Sequence, residues 1–134
     1  MFVDASAMVA ILSREPEADR FADLVECAEN PSTSPIAIFE AVLGLCRKRR
    51  ARVEEAERDV REFLAIAGVE CLPITGEDTR VALAAFSRSG KGTGHPAQLN
   101  LGDCFAYAIA HSRGVPLLFK GDDFAKTDID VAAL

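Results

Sequence analysis

The sequence predicts an α/β fold in which a short parallel sheet is flanked by helices. Three observations carry that prediction. Short apolar runs with strand character, at 1–4, 69–72 and 115–119, alternate with longer segments whose apolar residues recur at helical spacing. Alternation of this kind sets strands side by side in parallel, with helices as the crossovers. Acidic residues then follow two of the strands, Asp4 after the first and Asp122 after the last, at the sheet edge where open α/β folds bind ligands.

Taken in order, Met1–Asp4 reads as a short buried strand. Ala5–Ser13 reads as a helix with Ala7, Met8, Ile11 and Leu12 on one face. Pro16 suits the first turn of a second helix running to about Ala28, with Phe21, Leu24 and Val25 inward. Asn30–Pro35 is a turn with room for a very short strand, and Ser34 is placed to cap a helix from Pro35 to Arg49. A fourth helix spans about Arg52 to Ala67, with Glu and Arg outward, Val60, Phe63, Leu64 and Ile66 inward, and Gly68 as its terminator. After the strand at 69–72, Thr75 or Gly76 opens a helix to about Ser87. Residues 88–100, with Ser89-Gly90-Lys91-Gly92-Thr93-Gly94-His95-Pro96, hold neither period and form a loop. This loop lacks the order of a phosphate-binding P-loop. The last helix, Leu101–Ser112, ends at Gly114 and feeds the strand Val115–Phe119 and the turn Lys120-Gly121-Asp122-Asp123-Phe124.

A length of 134 residues fits one domain, and 49% hydrophobic content is enough for a core. The net charge of −6 argues against coating nucleic acid by bulk charge, but not against an enzyme whose local field is reversed by bound cations. One basic stretch exists, Arg47-Lys48-Arg49-Arg50 with Arg52. It reads either as a nucleic-acid contact or as cations favoured at a helix C-terminus. Cys27, Cys46, Cys71 and Cys104 have no paired spacing and apolar neighbours, so they are expected to be core thiols in a reducing compartment. No run approaches the ~20 apolar residues of a membrane span, and no leader precedes Asp4, so a cytoplasmic location is expected.

The chemistry lies in the acids. Asp4 ends an apolar strand, and Glu40 sits inside Pro35-Ile36-Ala37-Ile38-Phe39-Glu40-Ala41-Val42-Leu43. Asp103 leads the apolar stretch Cys104–Ala110, and Asp122 and Asp123 follow the last strand. Carboxylates in such settings bear a desolvation cost that something positive must offset. With no evident Arg or Lys for each, a shared divalent metal is the economical partner, and hard oxygen donors without clustered His or Cys favour Mg²⁺ or Mn²⁺. The purely structural readings are an N-cap for Asp4, a first-turn dipole partner for Asp103 and a turn residue for Asp122. Glu40 is the hardest to explain that way. His95 and His111 read as a loop and a surface residue, and Asp19, Asp23 and Asp78 as solvated helix faces.

Val3-Asp4-Ala5-Ser6, the helix-borne Glu40, Asn100-Leu101-Gly102-Asp103-Cys104-Phe105-Ala106-Tyr107-Ala108 and Leu117-Leu118-Phe119-Lys120-Gly121-Asp122-Asp123-Phe124 together resemble the PIN-domain ribonucleases. Among these they are most similar to the VapC-type toxins of toxin–antitoxin pairs. The resemblance spans residues 1–134, read as a single PIN domain. It implies a PIN-like α/β/α sandwich and a Mg²⁺- or Mn²⁺-dependent endoribonuclease. Residue by residue, it assigns catalysis and metal binding to Asp4, Glu40, Asp103 and Asp122, with Asp123 as the alternative fourth acid. Ser6 is an auxiliary residue near metal or phosphate, or else a helix N-cap. Arg47, Arg49, Arg50 and Lys91 are expected to contact RNA. The implied partners are a VapB-type antitoxin, an RNA substrate and a second copy of the chain, the homodimer drawing on apolar faces of the second to fourth helices. The tail Asp128–Leu134 is too short to cover the site, so inhibition is expected in trans, from an antitoxin helix whose Arg or Lys reaches the carboxylates. A non-catalytic PIN-fold binding module and a structure-directed DNA nuclease are the competing readings.

Overall fold

The computed structural model describes residues 1–133; Leu134, the last residue of the expected tail, lies outside them. The strands are β1 (Phe2–Val3), β2 (Ser32–Thr33), β3 (Glu70–Cys71) and β4 (Leu117–Leu118). The helices are α1 (Ala5–Leu12), α2 (Ala18–Cys27), α3 (Pro35–Arg49), α4 (Val53–Ile66), α5 (Gly76–Ser89) and α6 (Leu101–Arg113). The sheet runs β3-β2-β1-β4 and every pairing is parallel, with Phe2 opposite Ser32 and Leu117, and Ser32 opposite Glu70. The short strand allowed for within the turn at 30–35 is β2. Strands of two residues carry few ladder bonds, so burial holds the sheet: Phe2, Val3, Leu117 and Leu118 are essentially inaccessible, each contributing about 1.5–3 kcal/mol.

Local chemistry explains the helix ends. Ser34 Oγ accepts from Ala37 N at 3.2 Å, and Pro35 occupies the first turn, where no N–H is needed. Thr75 and Asp78 form a reciprocal capping box for α5. Gly68 and Gly114 follow α4 and α6 with φ of 65° and 60°, the left-handed geometry that ends a helix. The centre of the molecule is α6. Cys104, Ala106, Tyr107, Ala108, Ile109 and Ala110 are all buried, the alanines letting neighbouring elements approach closely. The Tyr107 hydroxyl donates to Asp128 at 2.6 Å and accepts from Arg88 at 3.2 Å, tying α5 and the C-terminal segment to this helix.

Three expectations are corrected here. Asp78 is not a solvated residue but is 4% exposed, because the capping box draws its carboxylate onto the Thr75 backbone N–H, with Arg113 3.8 Å away. The cysteines are all free, but Cys27 and Cys71 are exposed and Cys46 is only half-buried. Cys71 lies on edge strand β3, whose residues face water, and Cys27 ends α2. Phe21, Leu24 and Val25 of α2 and Val60 and Leu64 of α4 are buried inside the fold, but Ile66, expected inward, is 80% exposed, since two residues beyond Leu64 put it on the opposite side of α4. The large apolar side chains left outside include Leu83 and Phe86 on α5, Leu101 on α6 and Phe39 on α3. Among the described residues no helix is long and apolar enough to cross a membrane.

Candidate active site

An open cleft of about 600 Å³ lies at the carboxyl end of β1, lined by Asp4, Ser6, Glu40, Asp103 and the cations Arg47, Lys48 and Lys120, with Glu15, Gly44 and Asn100. Three elements bring the acids together. Asp4 follows β1 directly and caps α1, its Oδ2 accepting from Ser6 N at 2.9 Å and from Ser6 Oγ at 2.5 Å. Glu40 projects from the second turn of α3. Asp103 is the third residue of α6, where its Oδ2 accepts from Asn100 N at 2.9 Å while Asn100 Oδ1 accepts from Asp103 N at 2.9 Å. That box leaves Asp103 Oδ1 without a hydrogen bond among the described residues. The structural and chemical readings of Asp4 and Asp103 are thus the same geometry: the caps aim the carboxylates.

Ser6 is not itself an N-cap, since Asp4 holds that position. Its hydroxyl donates to Asp4 and accepts from the Lys120 backbone N–H at 3.0 Å, joining the loop after β4 to the acid after β1. Gly102 serves the site by what it lacks. A Cβ there would meet the end of the Glu40 side chain, so glycine lets that carboxyl group lie directly against the start of α6, where any side chain would push it aside.

The electrostatics are those of an uncompensated acidic cluster. Burial, partly offset by the Ser6 hydroxyl and amide bonds, holds Asp4 above its ordinary range. Glu40 is pushed up to about 7, first by desolvation and then by the charges of Asp4 and Asp103, with Arg47 acting weakly against them. Asp103 is pushed up to about 6 by desolvation, against the Asn100 amide bond, with Asp4 and Asp123 adding repulsion. Among the described residues none of the three forms an ion pair. The carboxylates stand apart, and no three His, Cys, Asp or Glu side chains among the described residues are gathered closely enough to chelate one ion as placed. The donors nevertheless fit a hard divalent cation: oxygen ligands only, unpaired with Lys or Arg, over a glycine cradle.

The remaining predicted residues divide. Neither Asp122, preferred for the fourth position, nor Asp123 lines the cleft, but the charge of Asp123 bears on Asp103. Of the basic residues, Arg47 lines the cleft. Arg49 turns away, its guanidinium bonded to Asp59 at 2.7 Å and to the Leu12 carbonyl. Arg50 is the exposed left-handed cap of α3 (φ 53°). Lys91 is exposed in the 90–99 loop, away from the cleft lining. His95 Nδ1 accepts from Ala97 N at 3.1 Å, and His111 stacks on Tyr107, so neither enters the site. Lys48, Lys120, Glu15 and Asn100 were not singled out by sequence for this cleft. Lys120 had a signal, since it follows the apolar run Val115–Phe119; Glu15 had none.

A parallel sheet with acids gathered at its carboxyl edge defines the class, and the chain belongs to the PIN domain family, which matches residues 1–130. Within that family it belongs with the VapC ribonucleases. It is 40% identical over 129 residues to ribonuclease VapC42 of Mycobacterium tuberculosis, covering 96% of each chain. Its fold matches the crystal structure of M. tuberculosis VapC20, described as a sarcin-ricin loop cleaving toxin, with a TM-score of 0.75 at 15% identity over 96% of this chain and 95% of that one. A chain of a toxin–antitoxin complex from Klebsiella pneumoniae matches with a TM-score of 0.66 at 18% identity, over 92% and 89% of the two chains.

Proposed function

We propose that this chain is the toxin of a toxin–antitoxin pair, an endoribonuclease that hydrolyses phosphodiester bonds with a divalent cation, Mg²⁺ or Mn²⁺. The observation that carries the reading is the convergence of Asp4, Glu40 and Asp103, unpaired with any cation, in one cleft walled by Arg47, Lys48 and Lys120. Membership among the VapC ribonucleases supports the reaction and the toxin role.

Asp4, Glu40 and Asp103 would hold the cation, with Asp123 as the fourth acid in place of Asp122. A divalent ion bound there supplies charge relief for the phosphoryl oxygens and a more acidic water. The chain's own groups do the rest. Ser6 and Asn100 fix the directions of Asp4 and Asp103. Glu40 adds a third carboxylate, carried by α3, to the same wall of the cleft. Arg47, Lys48 and Lys120 position the RNA strand through its phosphates, without reading sequence. The partner is a VapB-type antitoxin that fills the cleft. A second copy of the chain is part of the same reading, supported by the apolar side chains exposed on α5 and α6.

RNA cleavage by the purified chain is expected with Mg²⁺ or Mn²⁺, to stop in EDTA, and to return when the metal is restored. Full activity in EDTA would overturn the metal reading. RNA and metal binding without cleavage would make the chain a binding module, and cleavage of structured DNA alone would make it a DNA nuclease. The basic wall has its own test. Arg47→Gln is expected to weaken RNA binding and to lower the slope of log affinity against log salt by about 0.7, one single-strand phosphate contact. Arg49→Gln and Lys91→Gln leave that slope unchanged. A slope that moves with Arg49 and not with Arg47 would relocate the RNA path.

A further inference from the structure

The cleft poses a question that its acids do not answer. Two lysines line the same cavity as three uncompensated carboxylates, yet neither pairs with them. Ammonium groups on long, flexible side chains beside buried anions would ordinarily fold onto them. The reason lies in Glu15. Its carboxylate takes Lys48 Nζ on one oxygen and Lys120 Nζ on the other, and Lys120 also reaches Glu17 at 3.0 Å. The Glu15 side chain is only 10% exposed, while those of Lys48 and Lys120 are 50% and 38% exposed, so the anchor is the shielded member of the group.

Position makes this arrangement consequential. Lys48 belongs to the same helix as Glu40, with Gly44 between them offering no side chain to separate them. The Lys120 backbone N–H bonds Ser6 Oγ, which itself bonds Asp4, so the Lys120 side chain starts one residue's reach from the cluster. Freed from Glu15, the Lys120 ammonium would be able to turn back past Ser6 toward Asp4, and the Lys48 ammonium would add its charge to the same cleft, both working against a metal ion on those oxygens.

We infer that Glu15 is a positioning residue that diverts Lys48 and Lys120 from the catalytic carboxylates, keeping those acids open to a metal ion and the lysines on the cleft wall where an RNA phosphate passes. The inference rests on the metal reading of the cleft and adds to it the device that keeps the cleft from neutralising itself.

The test is a mutant cycle read by Mn²⁺ binding to the metal-free protein, followed by the electron paramagnetic resonance of free Mn²⁺. Thermal melting checks that each variant is folded. Glu15→Gln is expected to weaken Mn²⁺ binding about tenfold in the wild-type background, chiefly through competition by the released ammonium groups, the lost neighbouring charge itself costing less than about twofold. In a Lys48→Gln/Lys120→Gln background the same change is expected to cost less than about twofold, because no ammonium remains to be released. Equal losses in the two backgrounds would overturn the inference, leaving Glu15 as a nearby charge and nothing more. A second reading does not depend on Glu15→Gln folding. Lys48→Gln/Lys120→Gln itself is expected to bind Mn²⁺ at least as tightly as wild type while losing RNA affinity, and weaker Mn²⁺ binding in that variant would overturn the inference. Failure of the metal reading looks different: wild-type protein would bind no Mn²⁺ that Asp103→Asn abolishes, and both proposals would fall together.

Discussion

Asp103→Asn is expected to reduce RNA cleavage by roughly 10²–10⁴-fold, the range for losing a group that acts on the reacting atoms, without unfolding the protein. The substitution can separate chemistry from structure because of where Asp103 sits. Its capping role needs an oxygen acceptor for Asn100 N and its own backbone N–H for Asn100 Oδ1, and an asparagine supplies both. What it removes is the negative charge on the face turned to the cleft. Asp4→Asn follows the same logic, since asparagine is as good an N-cap as aspartate and can still accept from Ser6 N. The check is cleavage of an RNA oligonucleotide in Mn²⁺ beside circular-dichroism melts of each variant. Near-wild-type cleavage by either variant would remove that acid from the mechanism. Melting temperatures that collapse would assign it to the fold.

The second large effect is on stability and has the opposite sign from most active-site changes. Glu40 and Asp103 are pushed up to about 7 and about 6, and Asp4 is raised as well, chiefly by burial. For a carboxyl group whose folded pKa lies above its unfolded one, the folded state holds the proton longer. The unfolded chain ionises first as pH rises, so folding stability falls from 3.8, where unfolded aspartates ionise, to about 7 and then levels. Glu15 and Asp128, lowered by their lysine and tyrosine partners, act oppositely, but only at the acid end of that window and below it. In EDTA the protein is therefore expected to be more stable at pH 5 than at pH 8. Glu40→Gln should remove much of the difference, raising stability at pH 8 by about 2 kcal/mol. Urea denaturation at the two pH values measures this directly. Stability that climbs from pH 5 to pH 8 in metal-free protein would show that the cluster is not under charge strain. Added Mn²⁺ should reverse the slope, because a bound cation favours the ionised carboxylates.

That strain also bears on inhibition. Under the proposed function, an antitoxin's Arg or Lys placed on these acids is expected to compete with the metal, since either positive charge relieves the same carboxylates. The guanidinium of an arginine, matching carboxylates with paired donors, is the better competitor.

What the sequence determined by itself was local. Helical periodicity, Pro35 after Ser34, Thr75 before α5 and the glycines after α4 and α6 are signals carried within one or two turns, and the elements form where those signals lie. Three of the acids were legible for a related reason. Asp4, Glu40 and Asp103 stand in apolar surroundings that a few neighbouring residues reveal, and the topology of a parallel sheet brings strand ends to one edge. The tertiary structure alone decided everything that depends on which surfaces meet. It buried Asp78, exposed Cys27 and Cys71, turned Arg49 toward Asp59 and brought the charge of Asp123, rather than that of Asp122, to Asp103. It also joined Lys120 to Glu15 across a separation of 105 residues. Contacts of that span leave no periodicity and no cap for a linear reading to find. They arise only when folded elements set distant side chains within a few ångströms, and at that scale desolvation and charge decide which cation meets which acid.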